Sequence, residues 1–338
     1  MKLQVLCTLG PASLKRDVIE QLAARDVDLF RINLSHTALE AVRPIITWIR
    51  EFSSVPICLD TEGAQVRCGV VDGGLAVFEP GRRVRLVRDD SPGGADRLPL
   101  RPRASFAVLR PGSTLRVDFD GVVLQIVDAG DGQAEAVVVE GGRVSSNRAV
   151  TIDPPPTLPT LTDKDETAIA IGASCGILHY ALSFANHADD VALVRALLPP
   201  GAHLIAKIES AAGVRNIDGI IEGANAVLID RGDLSREVPL EHVPFYQKAI
   251  VRRANRWNRP VFVATNLLES MVASRRPTIA EANDIANTLL DGVHGLVLAA
   301  ETAIGIDPVS TVDMILRMIR AFERVGLAAL QDPELQVT

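Results

Sequence analysis

Short apolar runs recur along the chain, separated by longer stretches whose apolar positions repeat at helical spacing. The runs fall at 3–8 (LQVLCT), 27–32 (VDLFRI), 55–60 (VPICLD), 179–184 (HYALSF), 202–207 (AHLIAK), 225–230 (NAVLID), 260–265 (PVFVAT) and 294–299 (HGLVLA). They are continuous rather than alternating, which is the pattern of parallel strands covered on both faces. Helices are expected over 13–24, 37–52, 164–174, 189–198, 211–222, 241–257, 279–290 and 308–325, the last with Val312, Ile315, Met318, Ile319 and Phe322 at helical spacing. Eight strands alternating with eight helices predict an α/β protein and, within that class, a (β/α)8 TIM barrel.

One connection breaks the rhythm. Between the third and fourth runs, "RRVRLVRDD", "STLRVDFDGVVLQIVD" and "AEAVVVEGGRV" alternate apolar and polar residues between Gly, Asp and Pro turns, the pattern of antiparallel strands. This predicts an all-β lid domain, 67–152, inserted between strand 3 and helix 3 of a discontinuous barrel domain made of 1–66 and 153–338. Active sites of barrels lie at the strand ends from which such an insertion emerges, so it is placed to close over a site. "DPPPTLP" (153–159) is expected to form a stiff return hinge.

Composition narrows the picture. The chain is 47% apolar and 23% charged, ordinary for a globular protein with ample core. A net charge of −7 argues against nucleic acid or an anionic membrane as partner, since phosphate backbones attract basic faces. Cys7, Cys58, Cys68 and Cys175 show no metal-ligand spacing and are expected to be buried thiols. Residues 168–185 carry no formal charge and are long enough to span a bilayer. Two glycines, two serines and His179 dilute the run, and a buried helix leading into a buried strand is the better reading. No secretory signal is evident, so a cytoplasmic location is expected. A homo-oligomer is compatible with the sequence, which does not specify the assembly.

The candidate chemistry stands at the strand ends. Strand 2 offers Arg31, Asn33 and Ser35; strand 3 Asp60, Thr61 and then Arg67; strand 4 Ser183; strand 5 Lys207 and Glu209. Strand 6 offers Asp230, Arg231 and Asp233, strand 7 Thr265, and strand 8 Glu301 and Thr302. In a barrel these converge on one mouth. Lys207 and Glu209, two apart on a strand, share a face. Glu209 with Asp233 offers hard oxygens that suit Mg2+ or Mn2+. Lys207, Arg31 and Arg67 supply cations around the same point, so the ring suits a phosphorylated or carboxylated small molecule. The plainer alternative is an ion-pair network that closes the barrel. Thr265 alone would read as a helix cap, and the backbone amides after Gly232 can hold a carboxylate.

The motifs "CTLGPAS" (7–13), "FRINLSH" (30–36), "LDTEGAQVR" (59–67), "AKIES" (206–210), "DRGDLSREVP" (230–239), "VATNLLESM" (263–271), "RPTIAEANDIAN" (276–287) and "LAAETAIGIDP" (298–308) occur in one order. In that order the chain resembles the pyruvate kinase family almost from end to end of the barrel. The resemblance implies Glu209 and Asp233 as divalent-metal ligands and Lys207 as the lysine facing the transferred phosphoryl group and the enolate. It implies Arg31 and Arg67 as cations at the phosphoryl site, and Asn33, Ser35, Asp60 and Thr61 as a potassium site. Arg231, Gly232, Asp233 and Thr265 would line the substrate, with Thr265 near the pyruvate methyl group. His36 and Arg148 fall on the nucleotide and lid side.

Departures from the family pattern cluster. Asp230 stands where the family usually has alanine, beside backbone that holds pyruvate's carboxylate, and its charge calls for a partner such as Arg231. Ala299 replaces a serine of the proton relay beside Glu301, whose role is left open. Glu62, Ala64 and Gln65 alter the stretch tied to potassium dependence. Ala41 stands where a tyrosine beside the nucleotide is common, Arg148 replaces a phosphate-facing lysine, and Asn186 replaces an arginine. The resemblance does not reach the family's C-terminal regulatory domain. Three readings follow: a phosphotransferase acting on phosphoenolpyruvate with ADP or a substitute acceptor, a metal-dependent lyase or aldolase on a 2-oxo acid, or a non-catalytic binder.

Overall fold

The protein is described by a computed structural model that covers residues 2–89, 91–117, 121–130 and 132–329, with backbone only for 325–329. It divides into two compact units, residues 1–63 with 161–338 and residues 64–160. Residues 330–338, included in the barrel segment on sequence grounds, lie outside the described residues, as does part of the "RVDFDG" stretch.

The first unit is a closed barrel. Its strands are β1 (Gln4–Leu9), β2 (Leu29–Asn33), β3 (Ile57–Asp60), β4 (His179–Leu182), β5 (His203–Ile208), β6 (Ala226–Asp230), β7 (Val261–Ala264) and β8 (Gly295–Leu298). Each pairs in parallel with its neighbours in sequence, and β8 closes on β1 with Gln4 opposite Gly295. Close packing fixes that glycine: a Cβ on Gly295 would stand 2.5 Å from the Gln4 carbonyl oxygen. The strands are buried on both faces, as the unbroken apolar runs require. Outward residues such as Cys7, Phe30, Leu59 and Val227 join the helix-covered core. Inward residues such as Leu6, Leu29, Cys58, Ile205, Leu228 and Val297 form a separate cluster inside the barrel.

Several helices differ from expectation. The stretch over 211–222 divides into Ala211–Arg215 and Ile217–Gly223, because Asn216 leaves helical geometry between them. The helix expected at 241–257 runs from Val243 to Arg256 after a 3-10 turn at Leu240–His242. Short helices also follow β6 (Arg231–Glu237), where a helical turn was expected at Gly232, and β8 (Ala300–Ala303), where only polar residues were expected. These one- or two-turn pieces are too short for hydrophobic periodicity to reveal. Among the described residues no helix is long and apolar enough to cross a membrane. The uncharged 168–185 run resolves into the end of the helix Asp163–Ser174 and strand β4. All four cysteines are free, but Cys175 is only half-buried, since it caps that helix at its outer end.

The second unit lies in the chain between β3 and the helix Asp163–Ser174. It is built on a seven-stranded sheet and a two-stranded sheet around its own apolar core, which includes Phe78, Leu86, Leu98, Leu124 and Ile152. Most of its pairs are antiparallel, but Arg83–Val87 runs parallel to Arg97–Arg101. Alternation specifies which face of a strand is buried and not the direction of its partner.

Candidate active site

Strand periodicity lays out the mouth of the barrel. Two residues beyond inward-facing Leu29, Cys58, Ile205 and Leu228 stand Arg31, Asp60, Lys207 and Asp230, each on the same face one layer higher. The interior is therefore apolar up to its last layer and ionised there. Arg31, Asp60, Lys207, Glu209 and Asp230 are all at most 5% exposed. Lys207 Nζ lies 2.7 Å from Glu209 Oε1, 3.5 Å from Asp60 Oδ1 and 3.7 Å from Asp230 Oδ2, and donates to Ser183 Oγ at 3.1 Å. Arg31 Nε stands 3.4 Å from Asp60 Oδ2. One carboxylate oxygen from each of Glu209, Asp230 and Asp233 can be chosen so that all lie within 4.8 Å of one another.

Four carboxylates thus face two buried cations, although half-buried Asp233 also pairs with Arg236 at 3.1 Å. Burial penalises every charge, and the neighbours decide each outcome. Burial would lower the Lys207 pKa, but Asp60, Glu209 and Asp230 outweigh it and hold the ammonium well above its usual value. Glu209 goes the other way: burial pushes its carboxyl up to about 8 against the pull of Lys207. Asp230 is also buried, yet Lys207, Arg31 and hydrogen bonds from Thr265 and the Asp233 backbone hold its carboxyl below the usual range. Among the described residues Arg31 Nε and Nη1 and both Asp60 oxygens make no hydrogen bond, only ion pairs at 3.4 and 3.5 Å. Buried polar groups are normally satisfied, so this set has unfilled capacity for an anion and a cation.

The β6–β7 corner is tightly braced. Arg231 donates from Nε and Nη2 to the Thr265 carbonyl oxygen at 3.1 and 2.7 Å, and from Nη1 to both oxygens of Asp284 at 2.9 and 2.8 Å. Arg231 is therefore not the partner of Asp230, as the sequence suggested. Its fork turns outward to Asp284, while Asp230 turns inward to Lys207 and Thr265. Thr265 has φ +68°, a left-handed conformation costly for a β-branched residue. Its hydroxyl accepts from Gly232 N–H at 2.8 Å and has one proton to give, to Asp230 Oδ1 at 3.1 Å or to the Ala264 carbonyl.

The remaining candidates are distributed as follows. Asn33 and Asp60 are register partners on β2 and β3; Asn33 Oδ1 accepts from Ser35 N–H, and the Thr61 carbonyl accepts from Ser183 Oγ at 2.7 Å. His36 is exposed in the turn after β2. Glu301 is buried and accepts Ala299 N–H at 2.8 Å and Leu268 N–H at 3.2 Å, joining the exits of β7 and β8. Arg67 and Arg148 belong to the second unit, where Arg67 Nη1 donates to the Asn147 carbonyl at 3.0 Å and Arg148 Nε donates to Ser145 Oγ.

Three contributors were not singled out from sequence. Phe184, at φ +52°, donates its backbone N–H to Glu209 Oε2 at 2.7 Å. Asp284 holds Arg231; its one signal was its place in the "RPTIAEANDIAN" motif. Buried Asp165 accepts from Glu62 N–H at 2.6 Å and from the N–H groups of Gly63 and Thr162 at 3.1 Å each, tying the exit of β3 to the next helix.

A closed (β/α)8 barrel that gathers a lysine, an arginine and several buried carboxylates at the C-terminal ends of its strands is the framework of a barrel enzyme. The model of the pyruvate kinase barrel domain matches residues 1–312. A pyruvate kinase of Methylorubrum extorquens is 36% identical over 332 residues, covering 96% of this chain and 69% of the relative. One from Mycobacterium tuberculosis is 34% identical over 336 residues, covering 96% and 71%. The crystal structure of a Cryptosporidium parvum pyruvate kinase superposes with a TM-score of 0.87 at 28% identity, covering 97% of this chain and 70% of that one. The chain belongs to the pyruvate kinase family and is a phosphotransferase of that type.

Proposed function

We propose that the protein transfers a phosphoryl group between phosphoenolpyruvate and a nucleoside diphosphate, with the enolate of pyruvate formed at the barrel mouth. The observation that carries this reading is buried Lys207, set among three carboxylates and held cationic, with the buried Arg31 guanidinium paired to one of them. In the forward direction the bond from phosphorus to the C2 oxygen breaks and a bond to the terminal oxygen of the diphosphate forms. Negative charge left on the C2 oxygen is met by the Lys207 ammonium, and the equatorial oxygens of the transferring group are met by Arg31. A proton then reaches C3 of the enolate on the side of Thr265, whose hydroxyl is held at the β6–β7 corner. The resemblance to the family further gives Arg67 and Arg148 as cations for the phosphoryl group and His36 as a nucleotide-side residue.

The donor set fits a divalent ion. Glu209 and Asp233 offer hard oxygens at suitable mutual distances. They would hold Mg2+ or Mn2+, which when bound polarises phosphoryl and enolate oxygens. Asn33, Ser35, Asp60 and Thr61 would hold K+, a reading supported by the Asp60 oxygens, which accept no hydrogen bond among the described residues.

The test is 31P NMR of phosphoenolpyruvate with protein, Mg2+ and K+, with and without ADP. ATP formed only when ADP is present is expected. Stable phosphoenolpyruvate together with metal-dependent cleavage of a 2-oxo acid would replace this reading by the lyase.

A further inference from the structure

At the β6–β7 corner two donors and two cations act on one carboxylate, and that carboxylate is the protein's own. Thr265 Oγ1 lies 3.1 Å from Asp230 Oδ1 and can donate to it, the Asp233 backbone N–H donates to the same group, and Lys207 Nζ stands 3.7 Å from Oδ2. Arg31, only 4% exposed and 3.4 Å from Asp60 through Nε, adds its charge. Two cations, a hydroxyl and a backbone amide are what an organic carboxylate needs in a water-poor site. Asp230 is fixed in that role by its surroundings. It is the last residue of β6 and faces inward, and the one cation next to it in sequence, Arg231, is committed to Asp284 and the Thr265 carbonyl.

We propose that Asp230 is a built-in competitor for the substrate's carboxylate, and thereby a specificity-determining residue of the site; this rests on the phosphoenolpyruvate reading above. A substrate carboxylate entering this corner meets a like charge in low dielectric and donors already taken. It must displace Asp230, so affinity for 2-oxo acids is held down. Bound anions that place a neutral or hydroxyl-bearing end in this corner escape the penalty.

The experiment is calorimetric titration of pyruvate at saturating Mn2+ into the wild type, Asp230→Ala and Asp230→Asn, with KM for phosphoenolpyruvate measured alongside. Asp230→Ala should bind pyruvate at least about tenfold more tightly, since it removes both the charge and the occupant. Asp230→Asn, nearly isosteric, should fall between, because its amide oxygen still takes the N–H while the repulsion is gone. KM should fall in the same order. Pyruvate affinity unchanged or weakened in both variants would overturn the proposal and make Asp230 part of the binding machinery. Affinities in the expected order, in proteins that transfer no phosphoryl group, would uphold the proposal and overturn the phosphotransfer reading.

Discussion

Lys207 is the hinge of the charge arrangement at the mouth, because Asp60, Glu209 and Asp230 all approach the same ammonium. Truncating one partner of a buried pair leaves uncompensated charge at a cost of about 3–5 kcal/mol. Lys207→Ala should therefore abolish phosphoryl transfer, lower stability in urea, and regain part of that stability when Mn2+ is added. A variant that keeps activity would remove Lys207 from the mechanism. Glu209 adds a pH dependence. Burial lifts its carboxyl from the usual 4.5 to about 8, so the folded protein holds this proton more tightly than the unfolded chain. The contribution of that shift is full below pH 4.5 and is lost as pH rises to about 8. A divalent ion needs the carboxylate, so its uptake releases the proton. Mn2+ affinity should climb between about pH 5 and 8, by up to tenfold per unit, and Glu209→Gln should flatten the climb. Titration in buffers of different ionisation enthalpy would reveal the released proton; an affinity independent of pH in the wild type would contradict the assignment.

At the scale of elements, the helix Asp163–Ser174 shows how one residue serves two levels. Thr162 and Asp165 form a reciprocal capping box, and that pattern can be read from sequence. The same carboxylate accepts from Glu62 and Gly63, whose N–H groups lie 103 and 102 residues earlier in the chain. No local pattern carries that information. Asp165→Ala would strip four donors at a fully buried point, so a loss of about 2–4 kcal/mol is expected from the urea midpoint. Thr278→Ala, at a more exposed capping box, should lose only about 1 kcal/mol. Equal losses would mean that Asp165 is no more than a cap. The same limit explains what else was legible. Lys207, Glu209 and Asp230 could be placed at the mouth because strand ends in a barrel share one rim. The partner of Arg231 could not, because Asp284 sits on a helix beyond the next strand. The amide of Phe184 could not either, because backbone donors leave no mark on residue identity.

At the scale of the whole molecule, the barrel and the β-rich unit each hold a core of their own. The barrel unit also holds together the two points where the chain leaves it and returns. Gly63 N–H and Thr162 N–H both bond to Asp165 Oδ2 at 3.1 Å, so the exit and return of the chain meet at one atom. Replacing residues 64–160 by a short Gly-Ser linker therefore closes a gap that the barrel already spans, at little cost in loop entropy. The shortened protein should fold, with a cooperative urea transition and a structured near-ultraviolet signal from Trp48 and Trp257, both of which lie in the barrel unit. It should bind Mn2+ and pyruvate, because Arg31, Lys207, Glu209, Asp233 and Thr265 all remain. Phosphoryl transfer should be lost, because Arg67 and Arg148 leave with the deleted unit. A shortened protein without a cooperative transition would show that the barrel needs the β-rich unit to fold. One that folds and still transfers the phosphoryl group would remove both arginines from the proposed chemistry and leave Lys207 and Arg31 as its protein cations.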